Sequence, residues 1–383
     1  MTYFFPYDEL TWPEVAALPR DTPLVIPLGT GYDQDKVSEA LSRPQRIALL
    51  PPIPFGWRGS GLAVPEPVLT QLVLNLLDSL REDGFSRVYA LTPQDMELNL
   101  GPNRITLPHA TQFQPAPALP SDSERGKVIL ISIGHVEQHG YHLPLSTDNL
   151  IIEAIAHGAA ATVPTQAFAL PTFPYGVSTH RQSFAGTLNV RGRAFEDFWL
   201  AVIDGLAARG FDRFYLMSGH GGNCSFLVNV IKYAGERHRR IFCATAWLHT
   251  SGDAAAPIVQ TTSRSQRGGM GHAGELETAM ILHLRPDLVH QEKAVDEVDF
   301  ISTANYYMDW IEGGSLIANP PWDDDTATGA YGAGSLATAE NGKLWLEAGM
   351  AEKVGHIAEI HEQHTRREAR RNAGFGLWGR GNR

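Results

Sequence analysis

Cysteine is scarce in this chain of 383 residues. Only Cys224 and Cys243 occur, too few for a disulfide framework, so the sequence reads as a protein of the reducing cytoplasm. Positive charge is also in deficit: 31 basic residues face 42 acidic ones, for a net charge of −11. That balance argues against nucleic acid or an anionic membrane as a partner. Apolar runs are all broken by charge, Pro or Gly before the roughly 18 residues a membrane helix needs. The start, MTYFFPYDEL, lacks the basic residues and apolar stretch of a secretory signal.

Glycine (37) and proline (25) are plentiful and spread throughout, marking many short loops. The Pro-rich, polar stretch 112–126 reads as a linker between an N-terminal αβ lobe (1–111) and a larger unit (127–367). A basic, Gly-rich tail (368–383) follows. In the larger unit, Val128 to Ile133 reads as a buried strand and about 149–160 as a helix, with a short strand near 168–170. Phe195, Phe198, Trp199, Val202, Ile203 and Leu206 share one helix face, and Phe214 to Met217 reads as the next strand. Such β-α-β order predicts an α/β fold with a mainly parallel sheet covered by helices on both faces. A shift of 126 residues aligns 62–91 with 188–217 with nine identities in thirty, which suggests that the first lobe is a degenerate internal copy. Gln94 stands there in place of His220, so that copy is expected to lack a metal site.

Four segments of the larger unit gather His, Asp and Glu beside glycine. They are GHVEQHGYHLPLSTD (134–148), YGVSTH (175–180), SGHGGN (218–223) and GHAGELET (271–278). The first and third directly follow buried strands, where open α/β sheets place their sites. Glu137 and His139, two apart in an extended segment, project to one side. With Asp148 they make a fitting set of donors for Zn²⁺, Mn²⁺ or Fe²⁺.

These segments, with GTLNV (186–190) and the late stretch GAYGAGSLATAENGKLWLEA (329–348), resemble the creatininase (creatinine amidohydrolase) family. The resemblance implies a three-layer αβα fold, a two-metal site and a homohexamer. It places Glu137, Asp148 and His220 on one ion, and His139 with the bridging Asp148 on the other. Creatininase itself carries a carboxylate two residues after the GH histidine; here Gly222 stands at that place. Glu275 is therefore expected as the fifth ligand, with Glu277 supporting it. The departure turns the expectation from creatinine to other amides, cyclic amides or formamides, cleaved by a metal-bridging hydroxide. His272 is the expected proton donor, with Glu277 relaying and His180 holding substrate or oxyanion. Asn223, Gly221, Trp310 and Trp322 are candidate substrate contacts. The alternatives are hydrolysis of a keto-sugar or lactone ring at the same site, or a non-catalytic assembly protein.

Overall fold

The computed structural model describes residues 1–94, 96–108, 118–179, 183–307 and 315–374. The expected contacts His180 and Trp310, part of the linker (112–117) and the end of the tail (375–383) lie outside the described residues.

In the first half, β1 (Tyr3–Pro6), α1 (Trp12–Ala16), β2 (Leu24–Pro27), α2 (Gln34–Ala40), β3 (Arg46–Leu49), α3 (Glu66–Glu82), β4 (Val88–Pro93) and β5 (Arg104–Leu107) follow one another. The second half runs β6 (Val128–Ile133), α4 (Thr147–Thr162), β7 (Ala167–Ala169), α5 (Gly192–Ala208), β8 (Arg213–Ser218), α6 (Gly221–Arg237) and β9 (Phe242–Thr245). It continues with α7 (Ala256–Thr262), α8 (Glu275–Leu284) and the long α9 (Ala339–Asn372). Two parallel sheets result, ordered β1-β3-β2-β4-β5 and β7-β6-β8-β9.

Side-chain alternation along β6 shows how the layers are built. Ile129, Ile131 and Ile133 enter a core shared with the first sheet, α3, α5 and α6, while Val128 and Leu130 face a second core containing residues of α4, α8 and α9. A strand buried on both faces reads as an unbroken apolar run, which is why VILISI stands out in the sequence. Helices α3 and α5 pack on each other between the sheets. Phe55, Phe173, Phe198 and Trp199 form an aromatic cluster at this seam, with Phe173 and Trp199 centroids 5.1 Å apart. Polar ties cross it too: Asn75 Nδ2 donates to the Val190 carbonyl (2.7 Å) and Tyr175 Oη to the Pro51 carbonyl (2.5 Å).

The two sheets repeat each other's register. Leu24 pairs with Val88 and Ala48 in the first sheet; Ile129 pairs with Phe214 and Phe168 in the second. Just past the strands, Gly29 N donates to the Ile53 carbonyl (2.9 Å), and Gly134 N donates to the Phe173 carbonyl (3.0 Å). Helices α3 and α5 begin and end 126 residues apart. A further sequence echo lies beside them: LPPIPFG (50–56) against LPTFPYG (170–176).

Candidate metal centre

Three loops at the carboxyl end of the second sheet converge. The β6 strand delivers Gly134, after which the chain stays buried through Gly140. A side chain at Gly134 would meet the Asn149 backbone at 2.7 Å, so only glycine lets this loop lie against α4. Asp148 sits in the first turn of α4, His220 caps α6 and Glu277 lies in the first turn of α8.

Glu137, His139, Asp148, His220, His272 and Glu277 are each at most 1% exposed. His220 Nδ1 lies 3.1 Å from Glu137 Oε1 and 3.3 Å from Asp148 Oδ2. His139 Nε2 lies 3.2 Å from Asp148 Oδ1 and 3.7 Å from Glu277 Oε2. His272 Nδ1 lies 3.6 Å from Glu137 Oε1 and 3.9 Å from Glu277 Oε2. Asp148 thus stands between His139 and His220.

Tautomers follow from the far side of each ring. A carbonyl only accepts, so the ring nitrogen facing it carries the proton. His139 Nδ1 faces the Glu137 carbonyl (3.1 Å), His220 Nε2 the Val177 carbonyl (2.9 Å) and His272 Nε2 the Gln138 carbonyl (2.7 Å). Each neutral ring then turns its lone pair toward the carboxylates. Lone pairs and carboxylates repel in a buried space unless a cation lies between them, and backbone acceptors behind the imidazoles are what ligating histidines use. The donor set of carboxylate oxygen and imidazole nitrogen suits Zn²⁺, Mn²⁺ or Fe²⁺. Three overlapping trios offer donor atoms within 4.8 Å of one another: His135, Glu137 and His220; Glu137, His139 and His272; His139, Asp148 and Glu277.

Without the cation, burial alone would lower the His139 pKa, but Asp148 and Glu277 outweigh it and raise it. Burial would likewise raise Asp148, and the two histidines instead hold it well below the usual carboxylate range. The site is built around charge.

Other expected residues go elsewhere. Both Glu275 oxygens accept from Arg264 N (2.9 Å each), and Oε2 also from Ser265 N (2.7 Å). Glu277, with Oε2 accepting from Ala273 N at 2.5 Å, takes the place in the cluster expected of Glu275. Ala273 holds φ 53°, and this sharp turn selects which glutamate points inward. Asn223 is spent on backbone: Oδ1 accepts from Val177 N (2.9 Å) and Nδ2 donates to the Gly134 carbonyl (3.2 Å), so it pins two site loops rather than facing a substrate. Gly221 opens α6. A Cβ at Gly222 would come within 2.4 Å of His220 Nε2 and the Val177 carbonyl, which leaves no space there for a carboxylate. Trp322 packs edge-on beside His272, centroids 5.6 Å apart, and donates to the Gly329 carbonyl.

His135 was not among the expected site residues. Its Nδ1 accepts from Gly176 N (2.9 Å), and its ring lies 4.6 Å from that of His220. The alternation His135, Glu137, His139 in an extended stretch was the available signal. Cys224 is buried, and burial pushes its thiol up to about 12, the opposite of an activated nucleophile.

The chain has relatives among known proteins. The profile of the creatininase family, described as creatinine amidohydrolase, matches residues 115–357. The chain is 33% identical over 168 residues to the mycofactocin precursor peptide peptidase of Mycobacterium ulcerans, a match covering 42% of this chain and 60% of that protein. It therefore spans less than two thirds of that relative's length. Identity to the 3-dehydro-scyllo-inosose hydrolase of Thermotoga maritima is 28% over 244 residues, covering 58% of this chain and 73% of that one. Among solved structures, creatinine amidohydrolase (creatininase) superposes with a TM-score of 0.53 at 24% identity, over 62% of this chain and 92% of that one. That likeness concerns the fold.

Proposed function

The chain belongs to the creatininase family, and from that premise we propose that it is a metal-dependent amidohydrolase cleaving a C–N bond of a small amide, cyclic amide or formamide. The observation that carries this reading is the set of three neutral imidazoles, each backed by a carbonyl, aimed at three buried carboxylates. Two divalent ions, when bound, supply Lewis acidity and a water acidified toward neutral pH.

The protein's own groups do the rest. Glu137, Asp148 and His220 are suited to one ion, and His139, Asp148 and Glu277 to the other, with Asp148 shared. His272 presents its unprotonated Nδ1 between Glu137 and Glu277, where it can take up the proton released by the attacking water and pass it to the departing nitrogen. Trp322 closes one side of His272 against water. The Gln138 amide fixes the loop from within, donating to the Gly329 carbonyl and accepting from Gly140 N. A homo-oligomer, hexameric by family resemblance, belongs to this reading and is checked by light scattering.

Purified protein should carry divalent metal and hydrolyse at least one member of an amide and formamide panel. Replacing His139 or Asp148 with Ala should remove metal and activity together. Stoichiometric metal and full turnover in either variant would refute the assignment. A second reading, opening of a keto-sugar ring, is favoured by the long match to the Thermotoga maritima hydrolase. Product analysis separates the two: the first releases an amine, the second does not.

A further inference from the structure

The first sheet ends in a crevice that the proposed reaction does not use. It encloses about 390 Å³ where β1, β2, β3 and β4 reach their carboxyl ends. That volume is within the range of small-molecule sites, and the position is where parallel sheets carry ligands.

Strand register identifies the crevice as the counterpart of the metal centre. Counted from Gly29 and Gly134, whose amides make the same hydrogen bond, Thr30, Tyr32 and Gln34 occupy the places of His135, Glu137 and His139. Pro51 stands at the place of Pro171, and Leu91 at that of Met217. All five residues of the first half line the crevice. The donors have been replaced, yet the space has not collapsed.

Its chemistry is specific. The wall is largely apolar, with Phe4, Pro27, Pro51 and Leu91 among its faces, and among the described residues Asp8 is the one charged group that lines it. Asp8 makes no ion pair among the described residues. Arg285, a cation that acts on it, is engaged by Glu9 at 3.1 Å and Asp287 at 2.8 Å. Tyr32 is committed elsewhere, its hydroxyl donating to the Leu28 carbonyl (2.7 Å). A carboxylate lacking a counter-ion beside proline and phenylalanine surfaces is complementary to a flat ring that carries N–H donors and positive charge.

We propose that this crevice is a second, non-catalytic binding site for a small aromatic cation of the amidinium or protonated aminoheterocycle class, held by Asp8 with its ring against the proline wall. The site is independent of the metal reading, because none of its lining residues belongs to the metal centre.

Calorimetric titration of the full chain with benzamidine, and with neutral benzamide as control, tests it. Benzamidine should bind with one-to-one stoichiometry, and benzamide about tenfold more weakly or less, the range of a charge-assisted hydrogen bond. Asp8→Asn should cost benzamidine a similar factor. Thr30→Trp, at an exposed rim position, should fill the entrance and abolish binding without involving Asp8. Failure of benzamidine to bind overturns the proposal. So does binding that survives both substitutions, or that is lost instead in Glu137→Gln, which would place the cation at the metal centre.

Discussion

Two glutamates two residues apart in the first turn of α8 carry opposite duties, and single substitutions should separate them. Glu277→Gln removes an oxygen from the cluster and should lower bound metal at least tenfold with little change in melting temperature. Glu275→Gln weakens the bonds from Arg264 N and Ser265 N; it should keep the metal and lose about 1–3 kcal/mol of stability. Metal analysis and thermal melts of both variants decide this, and equal metal loss in the two would refute the division. The sequence HAGELET does not reveal which glutamate faces inward, because both lie in one turn and the choice rests on the left-handed Ala273 and on amides several residues upstream. Glu137, His139, Asp148 and His220 were legible for the opposite reason: each follows a strand or opens a helix whose apolar pattern locates it.

Asp83 adds a pH effect away from the cluster. Burial pushes its carboxyl up to about 6, against the Gly186 amide that donates to it at 2.7 Å and the nearby Arg20. The folded chain therefore holds this proton more tightly than the unfolded one. The protonated form's contribution is complete at low pH and is lost as pH rises through the interval from about 4 to 6. Asp83→Asn should raise the melting temperature relative to the parent at pH 8 and change it little at pH 4.5. An identical difference at both pH values would contradict this.

At the scale of elements, the helix pair between the sheets is the strongest structural commitment. Phe198 is fully buried on α5 and touches Phe55, Phe173 and Trp199 at the seam. Phe198→Ala should cost about 3–5 kcal/mol, as large-to-small changes in packed aromatic cores do, readable as a shifted denaturation midpoint. The periodicity of α3 and α5, and their spacing of 126, were legible because amphipathic helices repeat every 3.6 residues. The equivalence of PPIPFG and PTFPYG is hidden because its offset is 120: the stretch from PTFPYG to α5 is six residues longer than that from PPIPFG to α3, so no single shift aligns both motif and helix.

Across the whole molecule, the stretch 112–126 reads as a division between units, yet one core contains Leu24, Ile26 and Ala90 of the first sheet and Ile129, Ile131 and Leu216 of the second. Backbone ties reinforce it: Ser146 N donates to the Asp8 carbonyl and Leu145 N to the Leu10 carbonyl, both at 2.9 Å, within four residues of Asp148. Thermal unfolding followed by near- and far-ultraviolet dichroism should therefore show coincident transitions. Two separated steps would mean that the lobes are energetically independent.

That common interior ties the history of the two halves together. Any residue changed along α3 presses on α5, and through the core they share on β8, the strand that leads to His220. An altered partner on one side calls for an answering change on the other, so substitutions at the seam should arise in pairs even where no ligand is touched.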